Sequence, residues 1–103
     1  IHDVREHFQA EDLPVVIGEL GNLGVDVGRS MKLIRKAQSA AASRPEFEGN
    51  VVFVETTSFA RPKEDSPNVG HGHHWFGNAE SYFLIGDALG KAMLQLVHQK
   101  TRE

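Results

Sequence analysis

His71, His73 and His74 place three of the chain's six histidines within four residues, directly ahead of Trp75 and Phe76. Histidine changes charge near neutral pH more readily than any other side chain, so clustered loop histidines suit proton transfer. A neutral imidazole can take the proton of a serine hydroxyl that attacks an acyl carbon, and an acid commonly orients that imidazole. The same three rings also suit zinc or copper, which bind imidazole nitrogen. A tight metal site needs one or two further ligands, and Asp65 or His98 are the candidates. The spacing matches neither a zinc finger nor a helical His-Glu-x-x-His. Loop histidines that are only solvated surface are the plain alternative, although loops on a rigid scaffold often carry function.

The elements that must hold this cluster follow from hydrophobic patterning. Val15-Val16-Ile17 and Val51-Val52-Phe53-Val54 are apolar runs without alternation, as in strands buried on both faces of a parallel sheet. Between them, residues 29–43 read as a helix with Met31, Ile34, Ala37 or Gln38, and Ala41 on its apolar stripe. Residues 1–10 read as a further amphipathic helix, with Ile1, Val4 and Phe8 inward and His2 and His7 in solvent. Pro14 follows it, and proline does not continue a helix. Asn78 is placed to cap a last helix, with Glu80 in its first turn. Tyr82, Ile85, Leu89, Ala92 or Met93, and Leu96 then recur at helical spacing. Gly86 and Gly90 lie on one face of it, and close packing on the sheet is the expected reason for two residues that weaken a helix.

The order is helix, strand, helix, strand, helix, and such alternation implies right-handed crossovers in an α/β fold with a parallel sheet. Two strands alone make no stable doubly wound sheet, so further strands are expected beyond these residues. Ile1 is not an initiator Met and opens inside a helical pattern, so the chain reads as a piece of a longer protein. Ligands of such folds sit outside the carboxyl ends of the strands. Glu19 and the long loop over residues 55–76 fall on that edge. A loop of that length in a small domain is usually functional or disordered. The glycine-rich stretch after Glu19 has no Gly-x-Gly-x-x-Gly and no Gly-Lys-Ser/Thr, so it reads as a loop at the cleft edge and not as a phosphate cradle.

Composition narrows the function classes. The chain has 103 residues, 40% hydrophobic and 24% charged, with a net charge of −3. That charge gives no basic field for nucleic acid and no polybasic anchor for a membrane. No apolar run approaches the roughly 20 residues of a membrane span. Cysteine is absent, which excludes disulfides, thiolate catalysis and zinc–thiolate sites.

Three stretches, taken in order, resemble one family. They are Leu13-Pro14-Val15-Val16-Ile17-Gly18-Glu19-Leu20, then Ile34-Arg35-Lys36-Ala37-Gln38 with Val51-Val52-Phe53-Val54-Glu55-Thr56, then the segment from His74 through Asn78-Ala79-Glu80-Ser81-Tyr82 to Ile85-Gly86-Asp87-Ala88-Leu89-Gly90-Lys91-Ala92-Met93. Together they are similar to the end of an SGNH/GDSL-type carbohydrate esterase, in the branch of sialate O-acetylesterase-like and acetyl xylan esterase-like proteins. The resemblance implies a three-layer, flavodoxin-like SGNH-hydrolase fold with a parallel sheet, of which residues 1–103 are the C-terminal portion. It implies removal of O-acetyl groups from sugars by a Ser-His(-Asp) mechanism without a cofactor, with an acetylated carbohydrate as partner. A secreted or periplasmic setting goes with the family. The catalytic histidine falls on His74, with His73 as second choice.

The family's acid commonly stands three residues before the histidine, and here that position is His71. Asp65, or Glu64 from the same loop, is the candidate replacement, and a Ser–His dyad is the other option. Glu19 and Trp75 are the candidate sugar contacts, Trp75 and Phe76 by stacking. The plain alternatives are a capping carboxylate and aromatics packed beneath the loop. Glu55 and Arg35 read as structural. Ser30, Ser39, Ser43, Ser58, Ser66 and Ser81 are the serines present, and none stands in a Gly-x-Ser-x-Gly or Gly-Asp-Ser context. The nucleophile is therefore expected in the N-terminal part of the same domain, outside this chain. A non-catalytic carbohydrate-binding or interaction remnant is the third reading, beside the esterase and the metal module.

Overall fold

Two short strands lie side by side and parallel, β1 (Val15–Gly18) and β2 (Val51–Val54), with Val15 opposite Val51 and Gly18 opposite Val54. The coordinates are a computed structural model that describes residues 1–100 and residue 102. The ladder is closed at its ends by Val15 N–H to Asn50 C=O at 3.0 Å and Glu19 N–H to Val54 C=O at 2.9 Å. Helices α1 (His2–His7), α2 (Arg29–Ala42) and α3 (Ala79–Lys100) complete the order, and α2 and α3 both pack on the sheet. The architecture is thus α/β with parallel strands, as the unalternated apolar runs predict. The strands are less enclosed than those runs imply. Only Val51 is buried, and the rest are half-buried, because each strand has one neighbour.

The first helix is shorter than its pattern, and its buried face differs from the expected one. Val4 and Phe8 are exposed, and the buried residue is Arg5. Its guanidinium donates to Leu13 C=O at 2.8 and 3.2 Å and to Asn50 Oδ1 at 2.9 Å, and lies 5.6 Å from the ring centroid of the buried Phe47. Charge-assisted hydrogen bonds and a cation–π contact tie the amino-terminal segment to the turn ahead of β2. Of the expected stripe Ile1 is half-buried, and His2 and His7 face solvent as expected, but Val4 and Phe8 give way to this polar anchor.

On α2, Met31, Gln38 and Ala41 turn inward as expected, but Ile34 stays 46% exposed and Arg35 takes the inward place. Gln38 uses both ends of its amide: Nε2 donates to Gly18 C=O at 3.0 Å, and Oε1 accepts from Leu20 N–H at 2.9 Å. Arg35 donates to the carbonyls of Leu20, Asn22 and Gly24 at 2.7, 2.9 and 2.7 Å, so it shapes the loop after β1. Its structural reading holds.

The last helix starts where the sequence places it. Asn78 Oδ1 accepts the Ser81 N–H at 3.1 Å. Leu96 is buried and Ile85, Leu89, Ala92 and Met93 are half-buried, whereas Tyr82 is 49% exposed and leaves the expected stripe. The two helix glycines also depart from expectation. A Cβ built on Gly86 or Gly90 meets no atom within 4 Å, so neither is there for close packing on the sheet. They share a face with the exposed Phe83, Leu94 and Val97. Gly86→Ala and Gly90→Ala are therefore expected to stabilise the isolated chain by about 1 kcal/mol each, since alanine costs less backbone entropy and collides with nothing. Urea unfolding of the two variants measures this, and a loss of stability refutes it.

Candidate functional site

The loop after β1 and the loop after β2 meet at the carboxyl edge of the sheet. A Cβ on Gly21 would collide with Thr56 Oγ1, and one on Gly72 would stand 2.5 Å from Leu23 Cδ2 and 3.2 Å from the Phe76 ring. Glycine at 21 and 72 lets the two loops approach, which brings the histidine loop over the segment that follows β1. The long loop after β2 contains short 3₁₀ turns over Thr57–Phe59, Lys63–Asp65 and Gly72–Gly77.

Glu19 sits at the junction. Its Oε1 accepts the N–H groups of Thr56 at 3.0 Å and Thr57 at 2.8 Å, and the Thr57 hydroxyl as well. The Thr56 hydroxyl returns to the Glu19 carbonyl at 2.8 Å. Burial pushes the Glu19 carboxyl up, but the bonds from Thr57 and Thr56, with the Arg35 charge, hold it below the usual carboxylate value. Glu19 thus caps the Thr57–Phe59 turn. Its Thr57-facing side also lines a shallow depression of about 570 Å³ with Val25, Glu55 and Ser58. A second depression of about 560 Å³ shares Gly24, Val25 and Ala60 with the first and reaches Arg61, Lys63 and Phe76. A depression of about 660 Å³ lies at the opposite end of the strands, with Asp12, Asn50 and Lys100, and none of the three depressions is lined by His71, His73 or His74.

His71, His73 and His74 are all exposed. Their rings lie against one another, with centroids 4.3 Å apart for 73 and 74, 5.5 Å for 71 and 73, and 6.3 Å for 71 and 74. Among the described residues no group of three or more His, Asp or Glu side chains is placed to hold a metal ion. His98 lies near the far end of α3, about 30 Å along the helix from this loop.

The backbone here is unusual. His74 has φ −109° and ψ 32°, and Trp75 and Phe76 follow in the left-handed region with φ 54° and 53°, ahead of Gly77 at 66°. Left-handed residues with side chains cost roughly 1 kcal/mol each. Surrounding bonds hold them: His71 C=O accepts from both His74 N–H and Phe76 N–H at 3.0 Å, and Asn68 N–H donates to Phe76 C=O at 2.9 Å. Asn78 N–H donates to Trp75 C=O at 3.0 Å, and the Tyr82 hydroxyl to His74 C=O at 2.7 Å. Strain of this kind gathers at functional sites.

The candidate residues are thus partly brought together. Asp65 is exposed; its carbonyl accepts from Asn78 Nδ2 at 3.3 Å, and its carboxylate makes no hydrogen bond with His74 among the described residues. Trp75 is half-buried within the strained turn, and Phe76, not Trp75, lines the depression. Glu19 lies in the neighbouring depression, engaged with the threonines. Residues that sequence reasoning passed over include Tyr82 as a hydroxyl donor and Arg61, which pairs with Glu80 at 3.0 Å and joins the loop to the start of α3. Ser81 is buried and donates to Phe59 C=O at 2.7 Å, so it is a structural serine. Comparison with family models, curated proteins and solved structures finds no match to the chain.

Proposed function

We propose that this chain carries the histidine loop of a carbohydrate O-acetylesterase of the SGNH type, with His74 as the general base. The observation that supports this reading most is the placement of one exposed imidazole. His74 leads into a strained, multiply bonded turn that rests on the loop after β1, in a parallel β1–α2–β2 unit, immediately ahead of α3. Ligands of open α/β sheets sit at that edge. In the reaction His74 takes the proton of a serine hydroxyl as the oxygen attacks the acetyl carbon, then returns it to the departing sugar oxygen. The depressions at the same edge, which Phe76 reaches from the histidine loop, would face the sugar. The serine and the oxyanion donors are assigned to polypeptide outside this chain, because none of its serines stands in a nucleophile context.

The chain by itself is therefore expected to hydrolyse nitrophenyl acetate no faster than buffer. Acetate release from an acetylated sugar by the full-length protein, measured beside the pure chain, tests the reading. Turnover by the pure chain that is abolished by mutating one of its own serines overturns the division of the site.

A further inference from the structure

Tyr82 lies one turn into α3, and its ring contributes little to the core. At 49% exposure it is the most open of the residues on the expected inward stripe of α3. What the side chain does is specific. Its hydroxyl donates to the His74 carbonyl at 2.7 Å, across eight residues of chain. That carbonyl belongs to the peptide plane between His74 and Trp75, the plane at which the backbone turns from φ −109° to φ 54°. His74 itself stands near the sparsely populated bridge region of the backbone. Four backbone bonds define the turn from its flanks: His71 C=O accepts from His74 N–H and Phe76 N–H, Asn68 N–H donates to Phe76 C=O, and Asn78 N–H donates to Trp75 C=O. Among the described residues, only the Tyr82 hydroxyl reaches the His74 carbonyl from the helix body.

We propose that Tyr82 is a positioning residue for His74, resting on the reading of His74 as the base. Its phenol latches the His74–Trp75 peptide plane to the first turns of α3. The direction in which the imidazole leaves the loop is thereby tied to the helix, and the helix is tied to the sheet. Tyrosine suits the task because a rigid ring carries the donor about one helical turn beyond the backbone, with only two torsions to fix. Phenylalanine would keep the ring and lose the latch.

The test is Tyr82→Phe in the full-length protein, followed by amide exchange and by acetate release. Exchange at Phe76 and Asn78, whose N–H groups close the turn, is expected to quicken about three- to tenfold, while residues 89–96 of α3 keep their rates. The turnover number is expected to fall about ten- to a hundredfold with KM unchanged, as for a catalytic group slightly misplaced. Unchanged exchange at Phe76 and Asn78, or an equal rise along the whole helix, overturns the latch. If His74→Ala abolishes hydrolysis and Tyr82→Phe leaves it untouched, the inference about Tyr82 alone fails. If the turn loosens but neither substitution alters hydrolysis, the assignment of His74 as base fails, and the catalytic role of Tyr82 with it.

Discussion

His74→Ala in the full-length protein is expected to lower the turnover number for an acetylated sugar by about a thousandfold or more. On the proposed reading, loss of the general base would leave only the residual catalysis of oxyanion stabilisation and substrate binding. The fold should survive, because the loop is held through the backbone of His74 and not through its ring. The His71 carbonyl takes its N–H, and the Tyr82 hydroxyl bonds its C=O. Alanine keeps both groups. His73→Ala and His71→Ala should each cost far less, although loss at His71 would mark it as the group that orients His74 in place of an acid. Activity kept by His74→Ala and lost by His73→Ala moves the base by one position. Equal loss in all three, together with a rate that responds to zinc or a chelator, replaces the esterase reading with a metal site.

The second large effect concerns stability. Glu19→Ala removes the acceptor of two backbone N–H groups and a hydroxyl at the point where both strands end. Thr56 is buried, so its N–H has no water to turn to. Bonds to a charged acceptor are the stronger kind, and the loss should destabilise the chain by about 2–4 kcal/mol, a large share of what a small domain has. The depressed Glu19 carboxyl sets the sign with pH. Its contribution is complete above the ordinary carboxylate value of 4.5 and is lost as pH falls through the lower folded value. Urea unfolding from neutral pH down to about pH 3 should therefore show a shallower acid loss for Glu19→Gln than for the parent. Parallel curves would show that the carboxylate does not support this junction.

Much of the frame is legible because its causes are local or periodic. Unbroken β-branched runs imply parallel pairing, and β1 and β2 pair so. A cap acts over three residues, and Asn78 caps α3 at Ser81. What the sequence hides depends on partners far along the chain. Arg5 is buried because Leu13 and Asn50 supply acceptors eight and 45 residues away. Glu19 meets Thr56 and Thr57 only after α2 has carried the chain back, 37 and 38 residues on. The histidine cluster is visible as residue types, but the turn that displays it is not. Trp75 and Phe76 carry no glycine-like signal for a left-handed backbone, and it is their bonded surroundings that impose it. Tyr82 fits a helical stripe by spacing, yet its hydroxyl finds the loop carbonyl and keeps the ring outside.

The amide of Gln38 has a consequence for how the sheet can grow. In a parallel sheet a neighbouring residue offers one donor and one acceptor to groups two residues apart. Gln38 offers both to Gly18 and Leu20, so a helix side chain stands in for one residue of a third strand. Recruitment of a foreign strand along β1 is thereby halted at its carboxyl end, where the amide already occupies the template. Open edges invite uncontrolled pairing between molecules, and proteins commonly blunt them. Here the blunting is local and leaves the amino-terminal half of the same edge available. The sheet is thus biased toward partners that enter beside Val16 and leave before Glu19, which keeps an added strand out of the space the two loops enclose.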